Sequence, residues 1–277
     1  MSLRFLLLSG LLLSGLTATG MTGWWWLTAE QQSSDTELPI LPTPPLPWRI
    51  SQEAEYELCL AAVTEDPSQA IALAETWKAR GGGDAATHCE ALAQIASSNP
   101  SAGAILMETI ALGPNADPTV RATVLSQAVQ ARLLARQPAR ALELASDALR
   151  LTPASTDLLI QRATAAKALG RRDLTIEDLT KALGLSPTRA DILVMRASTL
   201  RALGRLDLAA KDLEQAISLA ADDPEILLER GILRQRMGNM SGARADWRRI
   251  LELDPDSETA DLAEQNLALL DAGPPRR

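Results

Sequence analysis

STDLLIQRATAAKALGRRDLTIEDLTKALGLSP, the stretch from Ser155 to Pro187, decides the fold. Leu158, Leu159, Ala163, Ala166 and Leu169 recur at helical spacing until Gly170 interrupts them. Leu174, Ile176, Leu179, Ala182, Leu183 and Leu185 then resume the pattern as far as Ser186-Pro187. The unit reads helix, tight turn, helix, turn. It also recurs: Gly170, Gly204 and Gly238 are 34 residues apart, as are Ala141, Thr175, Ala209 and Ala243, and as are Ala148, Ala182, Ala216 and Ile250. Pro153, Pro187 and Pro255 keep the same register, with Ala221 filling the gap. Such a period marks stacked supersecondary units, none able to bury its apolar face alone. Small residues fall where two helix axes must approach closely: Ala163, Ala197 and Gly231 on first helices, Thr175, Ala209 and Ala243 on second ones. No alternating strand pattern appears, so the class is all-α.

The order of small residues, turn glycine and terminal proline at this period resembles the tetratricopeptide repeat. The match covers about 122–257, four units, with Arg136 in place of the first turn glycine and mostly Leu, Ala or Arg at the family's aromatic positions, Trp247 excepted. The resemblance implies a right-handed α-solenoid of antiparallel helix pairs. Stepping back 37 residues from Ala141 reaches Ala104, and 34 more reaches Ala70, so two degenerate helix pairs are expected upstream. The turn-rich Gly113 to Pro118 is read as a seam between subarrays. The expected organisation is a leader at 1–29, a linker at 30–50, degenerate pairs at 51–118, four units at 119–257, a capping helix at 258–271 and a tail at 272–277.

The 277 residues, 46% hydrophobic, suffice for a folded core. The net charge of −8 is unevenly placed: Glu30 to Arg121 carries 13 acidic and 4 basic residues, while 122–277 carries 22 of each. An acidic front without a basic stripe argues against nucleic-acid binding, which must displace phosphate counterions.

Phe5 to Leu27 has no charged residue across 23 positions, about 35 Å as a helix and enough to cross a bilayer core of roughly 30 Å. Arg4 precedes it and Glu30, Asp35 and Glu37 follow, which keeps the start cytoplasmic and sends the remainder across. An uncleaved signal anchor explains the long run and sets Trp24, Trp25 and Trp26 at the outer interface. A signal peptide would use Phe5 to Leu16 and a small-residue site at Ala18-Thr19-Gly20 or ending at Ala29. Either reading exports the repeats to the periplasmic face of the inner membrane or to the soluble periplasm. Pro39, Pro42, Pro44, Pro45 and Pro47 make the next segment an extended spacer.

Cys59 and Cys89 are an even pair in a chain read as exported, which points to a disulfide, with two buried thiols as the alternative. His88, the single histidine, adjoins Cys89, but neighbours on a helix point about 100° apart and form no natural thiolate–imidazolium pair. One His and two Cys fall short of the usual zinc set. Gly81-Gly82-Gly83 lacks the strand before and the Lys-Ser/Thr after that a phosphate loop needs. The stretch from Trp77 to Cys89 is similar to the front end of some exported bacterial repeat proteins of unassigned role. No cofactor, metal or catalytic residue is assigned. Arg162, Arg196 and Arg230 each lie 16 residues before Asp178, Asp212 and Asp246, which predicts one ion pair between the helices of each unit.

By resemblance, the functional surface is a concave groove lined by first helices. The equivalent outward positions are Ser126, Ile160, Val194 and Leu228; Gln130, Thr164, Ser198 and Ile232; and Leu133, Lys167, Arg201 and Gln235, with Arg236 adding a charge. An apolar row flanked by Lys and Arg suits a peptide with hydrophobic and acidic side chains. The expected function is a non-enzymatic protein-interaction scaffold or adaptor in the bacterial envelope. The alternatives are a redox protein or enzyme accessory subunit using Cys59, Cys89 and His88, and a self-associating structural array.

Overall fold

The structure, a computed structural model, describes residues 49–113 and 118–272. The leader, the spacer as far as Trp48, the turn at 114–117 and the tail at 273–277 lie outside the described residues. Among the described residues no helix is long and apolar enough to cross a membrane.

The described chain is helical throughout, an α-solenoid of antiparallel pairs. Six pairs follow one another: α1 Ala54–Glu65 with α2 Pro67–Ala79, α3 Gly83–Ala96 with α4 Pro100–Ala111, α5 Pro118–Leu134 with α6 Pro138–Leu151, α7 Thr156–Ala168 with α8 Arg172–Leu185, α9 Ala190–Ala202 with α10 Leu206–Leu219, and α11 Pro224–Arg236 with α12 Met240–Leu253. α13, Glu258–Ala272, closes the series. Each helix packs on the next, and first helices also meet across units, α1 on α3, α5 on α7, α9 on α11 and α11 on α13.

Local chemistry sets the helix ends. Asp66, Asn99, Ser155, Asp223 and Asn239 cap orphan backbone N–H groups with side-chain oxygens. Between first and second helices the chain reverses through a left-handed residue, Gly170, Gly204 or Gly238, while Arg136 (φ 55°) and Ser98 (φ 60°) adopt the same region without glycine's freedom. At Gly170 the Arg171 N–H donates back to Ala166 O and the Gly170 N–H to Lys167 O, satisfying carbonyls the helix leaves open.

Alanines make the helix crossings close. Ala163, Ala197, Ala209, Ala243 and Thr175 are all 0% exposed, and the Thr175 hydroxyl reaches Ala163 O. In the second pair the close approach is made by Gly103, one residue before the Ala104 that the 37-residue step selects. A Cβ at Gly103 would lie 2.6 Å from Ala91 O.

The seam expected at Gly113 to Pro118 is bridged. Met107, Ile110 and Ala111 of α4 share one apolar cluster with Val124, Leu125 and Ala128 of α5, and that cluster continues to α11. The core divides instead at α3, where Ala86, Cys89 and Ala93 turn to α1 and α2 while Ala91 joins the long cluster. A third cluster joins α11 and α12 to Ala260 and Ala263 of α13. On α13 the register of Leu159, Leu193 and Leu227 holds Asp261, and that of Ala163, Ala197 and Gly231 holds Gln265, both exposed. A further second helix would bury those polar groups, so α13 ends the stack.

Candidate functional site

Three contacts of one design fix each later pair internally. Arg162 donates from Nε and Nη2 to the two oxygens of Asp178 at 2.8 and 2.6 Å, Arg196 to Asp212 at 2.8 and 2.7 Å, and Arg230 to Asp246 at 3.0 and 2.6 Å. The carboxylates are buried and the guanidiniums partly so, a planar two-point match that fixes the angle between the paired helices. Asp246 accepts a further bond from Arg234 at 2.7 Å. The Asp178 bond raises the Arg162 pKa above its ordinary value.

A second register joins neighbouring pairs. Gln127, Gln161, Met195 and Glu229 are 34 residues apart on first helices, and each meets the first helix before its own. Gln127 Oε1 meets His88 Nε2 at 2.7 Å, Gln161 bonds Ser126 at 3.1 Å, Met195 Sδ takes a long contact from Thr164 Oγ1 at 3.9 Å, and Glu229 accepts two bonds from Arg201 at 2.5 and 3.1 Å. Sequence reading missed this row because its residue types vary while only its spacing is constant.

At the front, Cys59 and Cys89 are joined by a disulfide between α1 and α3, with both cysteines almost fully buried. Next to it the Tyr56 hydroxyl donates to His88 Nδ1 at 2.8 Å, and with Gln127 Oε1 as acceptor the neutral ring carries its proton on Nε2. Burial lowers the His88 pKa, opposed in part by the Gln127 bond, and burial raises that of Tyr56 to about 12. His88 therefore links three first helices as a neutral group. Its neighbouring sulfur is tied up in the bond, and no thiol–imidazole pair forms.

The outward face of the first helices is mixed. Ser126, Ile160, Val194, Leu228, Gln130, Ser198, Ile232 and Gln235 are partly exposed, and Arg236 is exposed. Two positions differ from expectation. Thr164 is 4% exposed with its hydroxyl bonded to Ile160 O, and Leu133 is 2% exposed, so both belong to the core. Thr164 turns inward because its hydroxyl can satisfy a carbonyl of its own helix while its methyl packs, which spacing alone does not reveal. Arg201 is on the face, but its charge is matched by Glu229. Lys167 differs: its Nζ donates to Ser198 Oγ at 3.0 Å, and no carboxylate lies within ion-pair reach among the described residues. Its side chain meets solvent, yet enough protein surrounds it that desolvation lowers its pKa, with Arg201 adding to the effect and Glu229 opposing it.

The register continues onto α13, where Leu262 and Leu269 stand 34 residues beyond Leu228 and Gln235 and are 46% and 69% exposed. Along the face lie apolar side chains, amides, hydroxyls and two cations, Lys167 and Arg236, that make no ion pair among the described residues. That set suits recognition of a chain by packing and hydrogen bonds. Among the described residues no group of three or more His, Cys, Asp or Glu is placed to hold a metal.

Comparison with known proteins agrees with this architecture. The tetratricopeptide repeat family matches residues 198–268. TTC0263, a thermophilic TPR protein of Thermus thermophilus, superposes with a TM-score of 0.54 at 22% identity over 68% of this chain and 100% of its own. MamA of Desulfovibrio magneticus RS-1 gives 0.52 at 13% identity over 75% and 99%. Cut9, from the APC/C hetero-tetramer with Hcn1, gives 0.57 at 14% identity over 77% of this chain and 42% of its own. At these identities the likeness is one of fold. No curated protein sequence matches the chain significantly.

Proposed function

Because residues 198–268 match the tetratricopeptide repeat family and the described chain shares the fold of such proteins, we propose that it is a non-enzymatic scaffold or adaptor of a bacterial cell envelope, holding a partner peptide or protein along its first-helix groove. The fold is that of protein-interaction modules. The observation that carries the reading is the in-phase row Ile160, Val194 and Leu228, partly exposed on successive first helices and bordered by Ser198, Lys167 and Gln235. An elongated partner would meet the same kind of side chain once per unit. Periodic apolar contacts with polar edges can fix its register as well as its affinity.

Two observations support an extracytoplasmic setting. The uncharged run from Phe5 to Leu27 behind Arg4 has the pattern of an export signal or anchor, and the buried Cys59–Cys89 bond is of a kind that persists in oxidising compartments. If the leader stays uncleaved, the inner membrane is a second partner through residues 5–27.

A photo-crosslinking residue at Val194 tests the groove in growing cells. A discrete adduct from position 194, absent when the same residue replaces exposed Lys211, supports the reading; identical adduct patterns from both positions would end it. Protease added to spheroplasts tests location: repeats that stay intact while a cytoplasmic marker also survives would contradict export.

A further inference from the structure

Two first-helix cations 34 residues apart occupy equivalent places with different surroundings. Arg201 on α9 reaches Glu229 on α11 and is held by both carboxylate oxygens at 2.5 and 3.1 Å. Lys167 on α7 faces α9 in the same way, but the position equivalent to Glu229 is Met195, which offers no charge. Among the described residues, only the Ser198 hydroxyl is within hydrogen-bond reach of the ammonium, at 3.0 Å. The Arg201 site shows how this fold neutralises a cation at that position: a carboxylate delivered from the neighbouring unit. The Lys167 site is the same arrangement with the carboxylate missing. Lys167 is exposed and makes no ion pair among the described residues, so a chain that brings a carboxylate to its ammonium adds a charge pair that the neighbouring unit does not supply.

Resting on the reading of this face as a partner groove, we infer that Lys167 is the anchor for an acidic partner segment: an Asp or Glu side chain seats on its ammonium beside Ser198 and Met195, with an adjacent apolar side chain against Ile160 and Val194. The occupant is a peptide segment of another protein. Arg201, already held by Glu229, shapes the wall of the site and leaves Lys167 to select for negative charge. Sequence alone offered Lys167, Arg201 and Arg236 as groove cations. The structure sets Arg201 apart by its pair with Glu229, and among the described residues Lys167 is the one of the other two that is hydrogen-bonded across units, to Ser198.

Random peptides displayed on phage and selected against the purified full chain provide the test. The expected result is enrichment of sequences sharing an Asp or Glu next to an apolar residue, with a synthetic copy binding wild type at least tenfold tighter than either of two variants. Lys167→Met removes the charge. Met195→Glu supplies an internal carboxylate that should occupy Lys167 and compete with the peptide, while both variants keep the wild-type melting midpoint. Enriched peptides without an acidic residue, or acidic ones that bind the two variants within twofold of wild type, would overturn the inference and leave the groove reading standing. If selected peptides bind Val194→Arg as well as wild type, the face is not their site, and the groove reading fails together with this one.

Discussion

His88 is a buried polar group that desolvation favours in its neutral form. The Tyr56 hydroxyl gives Nδ1 a proton to accept and Gln127 Oε1 takes the one on Nε2, while desolvation disfavours a charged ring. Its pKa is lowered on folding, so the unfolded chain binds the extra proton first. The stability contributed by neutral His88 is therefore complete above the ordinary value of 6.5 and is lost as pH falls below it, by at most about 1.4 kcal/mol per pH unit. Urea unfolding at pH 7, 6 and 5 should show this slope, and His88→Gln should flatten it; an equal slope in both proteins would remove His88 as its source. Gly231 is a second residue whose identity is dictated by its neighbour. A Cβ there would lie 2.3 Å from Trp247 Nε1, and the indole is fully buried with that nitrogen unpartnered. Ala favours a helix over Gly by roughly 0.5–1 kcal/mol, but overpacking costs about 1–3 kcal/mol, so Gly231→Ala should destabilise by about 1–2 kcal/mol. Adding Trp247→Leu to Gly231→Ala should recover part of the loss, as read by melting midpoints.

Each of the last three pairs of helices is held by apolar packing and oriented by one buried-end ion pair. The Asp212 carboxylate is 8% exposed and the Arg196 side chain 21%, so the pair is shielded without being sealed. Asp212→Ala leaves the guanidinium with Thr180 at 3.2 Å as its remaining partner. Removing one member of a fully buried pair costs roughly 3–5 kcal/mol, and partial exposure should reduce this to about 2 kcal/mol. Arg196→Met with Asp212→Leu should restore most of it, because two apolar groups replace two desolvated charges. By contrast Lys181→Ala, which breaks the exposed pair with Glu177, should leave the midpoint unmoved. If Asp212→Ala also leaves it unmoved, the pair does not set the angle between α9 and α10. The helices themselves were legible in the sequence, because apolar spacing, turn glycines and caps are local signals. The contacts between successive units were less so. Arg162 and Asp178 meet because one period repeats both residue types, whereas Gln127, Gln161, Met195 and Glu229 share a place without sharing chemistry. Tyr56 and His88 belong to no repeating register at all, and nothing local announces their contact.

The apolar clusters of the repeat array make its stability a sum of neighbours. One cluster runs from α3 to α11, another covers α1 to α3 behind the disulfide, and a third joins α11 and α12 to α13. Sequence periodicity revealed the stacking because every unit obeys the same rule. It gave a poorer account of the candidate face, where exposure depends on what the next unit brings. Thr164 and Lys167 are three residues apart on α7, yet one is 4% exposed and the other reaches solvent. In a quasi-one-dimensional array, a change at one end should be felt by the adjoining units and fade beyond them. A chain ending at Ser257 provides the case. It lacks α13 and exposes the side of α11 and α12 where Leu227, Trp247 and Ile250 meet Ala260 and Ala263. Amide exchange in α11 and α12 should then quicken by about tenfold or more, as local opening loses a cooperative neighbour, while α5 to α8 keep their protection. Uniform loss across all helices would mean that the array unfolds as a single block. Unchanged exchange in α12 would mean that α13 does not stabilise the pair it covers.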